Sequence, residues 1–149
     1  MRILLINGPN LNRLGHRDPS QYGDRTLPDI EAAFTSRARE LGIDDIVAFQ
    51  ANGEGDLIDF IQRETASADG IVINPGALTH YGYSLRDALQ DTGLPIVEVH
   101  LSNIHAREPF RQRSVIAPIT RGQIVGLGWR GYLLALEYLA NESIDEERP

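Results

Sequence analysis

Two kinds of segment alternate along this chain. Short runs rich in Ile and Val predict strands that are covered on both faces, and longer segments with an apolar residue every three or four positions predict amphipathic helices. The predicted strands cover residues 2–7, 45–50, 70–74, 95–99 and, with a weaker pattern, 123–126. The helical stripes cover residues 30–41, 57–61, 85–92 and 129–140. The segments recur at the spacing of strand-helix-strand units and not at a fixed repeat.

Short polar signals mark the ends of two of these helices. Thr26, with Asp29 three residues later, is a capping signal at the start of the first helix, and Gly42 follows its last apolar residue. Gly93 ends the third helix shortly before Pro95. The helix limits therefore rest on capping residues as well as on apolar spacing.

Five strands that alternate with helices predict an α/β protein with an open parallel sheet and helices on both faces. For 149 residues we favour a flavodoxin-like three-layer sandwich, with a five-stranded parallel sheet of order 2-1-3-4-5, over a six-stranded dinucleotide fold. One domain would cover residues 1–149, and its polar tail, residues 143–149, is expected to fray. Such sheets bind ligands beyond the carboxyl ends of the strands, at the switch point between strands 1 and 3.

Composition removes several classes of chemistry. The chain has no Cys and no Lys, which excludes disulfides, Cys-ligated zinc, Lys Schiff bases, pyridoxal phosphate and a P-loop lysine. Its net charge is −7 and no apolar run is long enough to span a membrane, so we expect neither nucleic acid nor a membrane as a partner. The chain enters its first strand without a secretory signal, which together with the lack of Cys favours the cytoplasm.

A long loop follows the first strand and reads GPNLNRLGHRDPSQYGDR over residues 8–25. Its polar residues include Asn10, Arg17 and Tyr22, and two of its glycines bracket a part that could move as a lid. The glycine spacing is not that of a dinucleotide site, and the loop lacks the Ser and Thr of a flavin phosphate loop. A surface loop with ordinary polar residues is the alternative interpretation.

Polar residues also follow the third and fourth strands. Asn74 and His80 lie in the segment NPGALTHYG, where the free N–H groups at a helix start favour a carboxylate. Taken alone, His80 fits a helix-start or packing residue better than a catalytic one. Glu98 and His100 are two residues apart in a strand, so their side chains lie on the same face. A carboxylate beside an imidazole makes that imidazole a candidate general acid.

Three arginines follow strand 4 in a chain whose net charge is negative: Arg107, Arg111 and Arg113. Because Arg recognises carboxylates and vicinal hydroxyls, the cluster is a candidate anion site. Pairing with acids at a subunit interface is the alternative for at least one of the three. A metal site from the neighbouring Glu and His residues is disfavoured, because the chain has neither an H-E-x-x-H helix nor a Cys and His pattern, and we expect no metal.

These strand ends would form a cleft with an anion site, a His and Glu pair, and a Tyr beside an Arg on a flexible loop. A neighbouring guanidinium stabilises a phenolate, so such a tyrosine can act as a base. A phenolate that faces an imidazolium can remove a proton on one side of a ligand and protonate a leaving group on the other. This arrangement suits the elimination of water.

Six segments resemble those of the type II 3-dehydroquinate dehydratases, in the same order over almost the whole chain. They are INGPNLNRLGHRDPSQYG at 6–23, GEGDLIDFIQ at 53–62, IVINPGALTH at 71–80, LRDAL at 85–89, PIVEVHLSNIHAREPFR at 95–111 and the C-terminal IVGLGWRGYLLALEYL. The resemblance implies a flavodoxin-like fold and reversible dehydration of 3-dehydroquinate to 3-dehydroshikimate, in the shikimate pathway or in quinate breakdown, with no cofactor. It also implies a homo-oligomer, a dodecamer built from trimers.

The same resemblance implies roles for individual residues. The catalytic ones would be Tyr22 as the base for the C2 proton, Arg17 as support for its phenolate, Asn10 as the holder of a water on the enolate oxygen, His100 as the acid for the C1 hydroxyl, and Glu98 as the residue that orients His100. The substrate contacts would be Asn74, Leu101 and Ser102 for the carboxylate, His80 and Arg111 for ring hydroxyls, and Asp87, which would reach the site of a neighbouring subunit.

The chain departs from the family pattern at two places. Tyr81, Gly82 and Tyr83 replace small and β-branched residues at a helix start that lines the cleft, and Gln112 and Arg113 stand where the family commonly has His. The first change keeps a lyase for a related cyclic hydroxy acid open as an alternative. A non-catalytic module of the same fold that binds a carboxylate is a second alternative, although a binder would not need both Tyr22 and His100.

Overall fold

A computed structural model, which describes residues 1–146, contains a single sheet of five parallel strands in the order β2-β1-β3-β4-β5. The strands are β1 (Arg2–Asn7), β2 (Asp45–Gln50), β3 (Gly70–Asn74), β4 (Ile96–His100) and β5 (Gly122–Val125). The helices are α1 (Pro19–Tyr22), α2 (Leu27–Glu40), α3 (Glu54–Glu64), α4 (Tyr83–Asp91) and α5 (Arg130–Glu146). The predicted fold and strand order are confirmed.

The central strand β1 separates two hydrophobic cores. Ile3 and Leu5 face the core that contains α2 and α5, whereas Leu4 and Ile6 face the core that contains α3 and α4. All four side chains are fully buried, and each contributes about 1.5–3 kcal/mol by leaving water. This alternation explains why β1 is apolar at consecutive positions, and it produces the three layers.

Helix α2 begins with the capping signal that the sequence predicts. The Thr26 hydroxyl accepts a hydrogen bond from the Asp29 N–H at 3.3 Å, and the Asp29 carboxylate accepts one from the Thr26 N–H at 3.0 Å. The chain leaves the helix at Gly42, whose φ of 77° lies in the left-handed region that glycine tolerates. Within residues 1–146, no helix combines the length and the apolar character that crossing a membrane requires.

Two strands differ by one residue from their predicted limits. β4 extends from Ile96 to His100. It begins after Pro95 because Pro95 has no N–H to donate, and only the Pro95 carbonyl joins the sheet, where it accepts a hydrogen bond from the Ile71 N–H. β5 begins one residue earlier than predicted. Helix α5 continues through residues 143–146, and residues 147–149 of the predicted tail lie outside the described residues.

The loops that follow β1 and β3 pack backbone against backbone at the switch point of the sheet. The Gly8 N–H donates to the Asn74 carbonyl at 2.8 Å. A Cβ atom on Gly8 would lie 2.4 Å from the Pro75 carbonyl oxygen, so only glycine fits this position without a shift of the backbone. Gly76, at a φ of 59°, brings the second loop close to Pro9, where an added Cβ would lie 3.0 Å from the Pro9 carbonyl oxygen. This contact sets the distance between the two loops.

We expect Gly8→Ala to lower the free energy of unfolding by about 1–3 kcal/mol, because the added methyl group overpacks a contact between two backbones. Gly55→Ala is the matched control: it lies in α3 with nothing within 4 Å of its would-be Cβ, and should gain about 0.4–1 kcal/mol. Urea unfolding of both variants measures the difference. Equal unfolding curves for Gly8→Ala and the wild type would contradict this account of the switch point.

Candidate active site

A cavity of about 130 Å³ opens at the carboxyl ends of the strands, beside the switch point. Asn74 and His100 reach it because they are the last residues of β3 and β4. All the predicted site residues line it except Glu98 and Asp87; those that do are Asn10, Arg17, Tyr22, Asn74, His80, His100, Leu101, Ser102 and Arg111. The structure therefore brings together residues from four separate parts of the sequence.

Asn10 enters the cavity from a left-handed backbone position. Its φ is 68°, and it is the only residue other than glycine with a positive φ among residues 1–146. Asn tolerates this conformation better than most residues. Its N–H donates to the Asn52 amide oxygen at 3.0 Å, and the Gln50 amide donates to the same oxygen at 3.1 Å. Side chains at the end of β2 thus hold the Asn10 loop in place.

Tyr22 lies at the end of α1, a single helical turn that Asp18 caps and Pro19 begins. The Arg17 guanidinium lies over its ring, 3.8 Å from the centroid. The phenol oxygen accepts a hydrogen bond from Arg107 Nη1 at 2.9 Å. A negative charge formed on this oxygen would therefore have two guanidinium groups beside it. The ring also packs against the core of α2 and α5, and movement of this loop as a lid stays a prediction.

Glu98 lies directly behind His100, as expected for residues two apart in a strand. The His100 Nε2 to Glu98 Oε1 distance is 2.6 Å, and the Glu98 side chain is fully buried. His100 also lines the cavity. The prediction that the two side chains pair is confirmed.

Three further side chains donate hydrogen bonds to the Glu98 carboxylate: the hydroxyls of Thr79 and Ser114 and the amide of Gln123. Burial alone would raise the pKa of Glu98. Its hydrogen bond to His100, the charge of His100, and the hydrogen bonds from Thr79 and Gln123 outweigh the effect of burial and hold this pKa below its usual range. The Ser114 hydroxyl oxygen accepts hydrogen bonds from the N–H groups of Ile116 and Ala117. Its own proton is therefore available for a bond to the Glu98 carboxylate or the Thr79 hydroxyl. The carboxylate therefore stays ionised.

Comparisons with known proteins show the family of this chain. The family described as Dehydroquinase class II matches residues 1–140. This chain belongs to the class II dehydroquinases. A 3-dehydroquinate dehydratase of Roseiflexus castenholzii is 60% identical over 139 residues, 93% of this chain and 88% of the relative. That of Bacillus subtilis is 54% identical over 146 residues, 98% of each. The crystal structure of the type II dehydroquinase from Propionibacterium acnes matches with a TM-score of 0.90 and 44% identity, covering 94% of this chain and 96% of that one.

Two groups of residues in this dehydroquinase lie away from the cavity. Asp87 is exposed on α4 and pairs with Arg86 at 3.5 Å. Tyr81 and Tyr83 are each 60% exposed and do not line the cavity, so the expectation that this helix start lines the cleft is wrong for them. The short helix that ends at His80 turns the chain outward there, and Gly82 fits under it because a Cβ would lie 2.7 Å from the Leu78 carbonyl.

Arg107 belongs to the arginine cluster that the sequence predicts as an anion site, but its contact with Tyr22 is not predicted. Its partner Tyr22 is 85 positions away, so no spacing rule connects them. Arg111 lines the cavity and pairs with Glu108 of its own chain at 2.6 Å, so an acid within the chain already meets its charge. His80 also lines the cavity, with its Nδ1 held by the Arg113 carbonyl at 2.7 Å.

We expect Glu98→Gln to flatten the acid side of the stability profile. Because the pKa of Glu98 is lowered in the folded protein, its charge stabilises the fold above the ordinary value of 4.5, and this contribution is lost as pH falls through the lower folded pKa. At neutral pH the variant should lose about 1–3 kcal/mol, since buried donors lose an acceptor. Urea unfolding between neutral pH and pH 3 checks both effects, and an unchanged acid slope would contradict the assignment.

Proposed function

We propose that this cavity eliminates water from 3-dehydroquinate through an enolate, with Tyr22 as the base and His100 as the acid. As a class II dehydroquinase, the chain is a hydro-lyase and a 3-dehydroquinate dehydratase. One observation supports these residue roles. The Tyr22 phenol, which contacts guanidinium groups, and the His100 imidazole, which contacts the buried Glu98 carboxylate, line the same cavity. These are a base and an acid with separate charge partners.

In the first step, the Tyr22 phenolate takes the proton from C2 of the substrate. The electron pair of the C2–H bond moves to the neighbouring carbonyl and forms the enolate. Arg17 and Arg107 favour the phenolate that begins this step, since both guanidinium groups lie beside it. Asn10 would hold a water against the enolate oxygen, which supplies a hydrogen bond where negative charge develops.

In the second step, the enolate returns its electron pair, the C1–O bond breaks, and His100 gives its proton to the departing hydroxyl so that water leaves. Glu98 supports this step because its carboxylate balances the charge of the imidazolium before the transfer. Tyr22 then holds the proton taken from C2, and His100 lacks the proton that left in the water, so exchange with solvent restores both groups. The steps consume no other reactant.

The polar residues around the acid and base would hold the substrate. Asn74 and the backbone of Leu101 and Ser102 would bind its carboxylate, and His80 and Arg111 would bind ring hydroxyls. All five line the same cavity, which supports this assignment. Tyr81 and Tyr83 do not line the cavity of their own chain, so within it they give no reason to prefer a different cyclic acid as the substrate.

A direct assay tests the reaction. Purified protein with a chelator is mixed with 3-dehydroquinate, and the ultraviolet absorbance of the conjugated enone carboxylate product is followed. We expect a signal that survives the chelator, because the proposed steps use only side chains of this chain. A folded protein that gives no signal would instead favour the non-catalytic carboxylate-binding alternative.

Tyr22→Phe should lower kcat by about 10²–10⁴-fold, the range for loss of a general base, and leave the affinity for 3-dehydroquinate nearly unchanged. Tyr81→Phe is the matched control, because it removes a tyrosine hydroxyl that lies outside the cavity. Steady-state rates give kcat, and calorimetry with the inactive variant gives the affinity. A Tyr22→Phe enzyme as fast as the control would remove Tyr22 as the base.

For the assembly we propose a dodecamer built from trimers, in which Asp87 completes the site of a neighbouring subunit. Its exposed position outside the cavity of its own chain supports a role across an interface. Sedimentation measures the assembly, and a monomer would contradict it.

For the compartment we propose the cytoplasm, because the sequence has no Cys from which a disulfide could form.

Mixed assemblies test the role of Asp87. Asp87→Ala alone should lower kcat/KM about tenfold or more if it loses a substrate hydrogen bond. When Asp87→Ala and Tyr22→Phe subunits are coexpressed, random mixing should restore about a quarter of the sites, because each restored site takes Tyr22 from one subunit and Asp87 from its neighbour. If Asp87 acts within its own chain, the mixed assemblies stay as inactive as the separate variants.

A further inference from the structure

A buried tyrosine outside the cavity contacts one of the proposed substrate-binding residues. Tyr132 lies in α5 and is fully buried. Its hydroxyl donates to the Asn7 amide oxygen at 2.7 Å and accepts from Asn74 Nδ2 at 2.9 Å. Asn7 and Asn74 are the last residues of β1 and β3, so the hydroxyl bridges the two strand ends beneath the switch point.

The direction of these hydrogen bonds follows from the groups present. Burial raises the pKa of Tyr132 far above its usual value, so the phenol keeps its proton and can donate it. Asn7 Nδ2 is buried and has no hydrogen-bond partner within the described part of the chain, so Asn7 contributes its oxygen alone. The proton of Tyr132 points to that oxygen, and the lone pairs of the hydroxyl face Asn74.

This direction fixes which way the Asn74 amide is turned. Its oxygen accepts the Gly76 N–H at 3.1 Å, and one hydrogen of its nitrogen is donated to Tyr132. A flipped amide would set its nitrogen against the Gly76 N–H and its oxygen against the lone pairs of the Tyr132 hydroxyl. Neither amide atom would then make a hydrogen bond at its contact. Because Asn74 lines the cavity, the second hydrogen of its nitrogen remains for a ligand there.

We propose that Tyr132 is a positioning residue that holds the Asn74 amide with one N–H directed at the substrate carboxylate. The inference rests on the proposed function, since it takes Asn74 as the carboxylate donor. Tyr132 acts through Asn74 and does not itself touch the substrate. It should therefore affect substrate binding more than the chemical steps at Tyr22 and His100.

The test compares Tyr132→Phe with a matched control in the assembled enzyme. Tyr132→Phe should raise the KM for 3-dehydroquinate about tenfold, the effect of one misdirected hydrogen bond to a charged group, with kcat within about twofold. Leu136→Val removes a buried methylene from the same helix and should cost stability without raising KM. An unchanged KM for Tyr132→Phe, or an equal rise in the control, overturns the proposal.

A double-mutant cycle separates this inference from the function on which it rests. Asn74→Ala should raise KM, and adding Tyr132→Phe to that variant should raise it no further, because the amide that Tyr132 positions is gone. A wild type that does not turn over 3-dehydroquinate refutes the proposed function itself. A KM unaffected by Asn74→Ala refutes the carboxylate assignment. An additive effect of Tyr132→Phe in the Asn74→Ala background overturns the positioning role alone.

A second variant covers the case in which Tyr132→Phe does not fold. Asn7→Ala removes the acceptor that fixes the hydroxyl proton, so the hydroxyl can turn toward Asn74 and admit the flipped amide. KM should rise in the same direction by a smaller factor, about threefold, while kcat stays near the wild-type value. An unchanged KM in folded Asn7→Ala enzyme overturns the proposal.

Discussion

The candidate active site depends on an abrupt change from apolar to polar side chains at the carboxyl ends of the central strands. β1 is apolar from Ile3 to Ile6 and β3 is apolar up to Ile73, and their last residues, Asn7 and Asn74, are polar and buried. Because the strands are parallel and in register, their polar ends meet at one edge of the sheet. The apolar part of each strand holds the sheet rigidly between two cores, and a rigid sheet is what keeps the polar ends at fixed distances.

Glu98 is the exception to this division, because it is a charged residue in the interior of a buried strand. A buried carboxylate is costly unless hydrogen bonds and an opposite charge replace the water it loses. Here the donors come from the segments after β3 and β4 and from β5, so the same bonds that satisfy the charge join those segments around His100. The acid side of the site is thereby built into the sheet itself.

The base side is built differently. Tyr22 belongs to a loop that follows β1, and it takes its position from packing on the core and from the guanidinium groups of Arg17 and Arg107. A loop residue placed by side-chain contacts can move more easily than a strand residue placed by a hydrogen-bonded ladder. One proposed catalytic residue is thus held by the sheet, and the other is held by contacts between side chains.

Sequence patterns were enough to predict the strands to within one residue, their order, the capped start of α2 and the pairing of Glu98 with His100. The strands, the cap and the pairing follow from local periodicity, capping residues and the two-residue repeat of a strand, and the order follows from the alternation of five strands with helices in a chain of this length. The folded structure was needed to show that Arg107 meets Tyr22, that Tyr132 bridges Asn7 and Asn74, and that Tyr81 faces outward. Such contacts join residues far apart in the chain or depend on the turn of a short helix, and no local pattern records how distant segments meet.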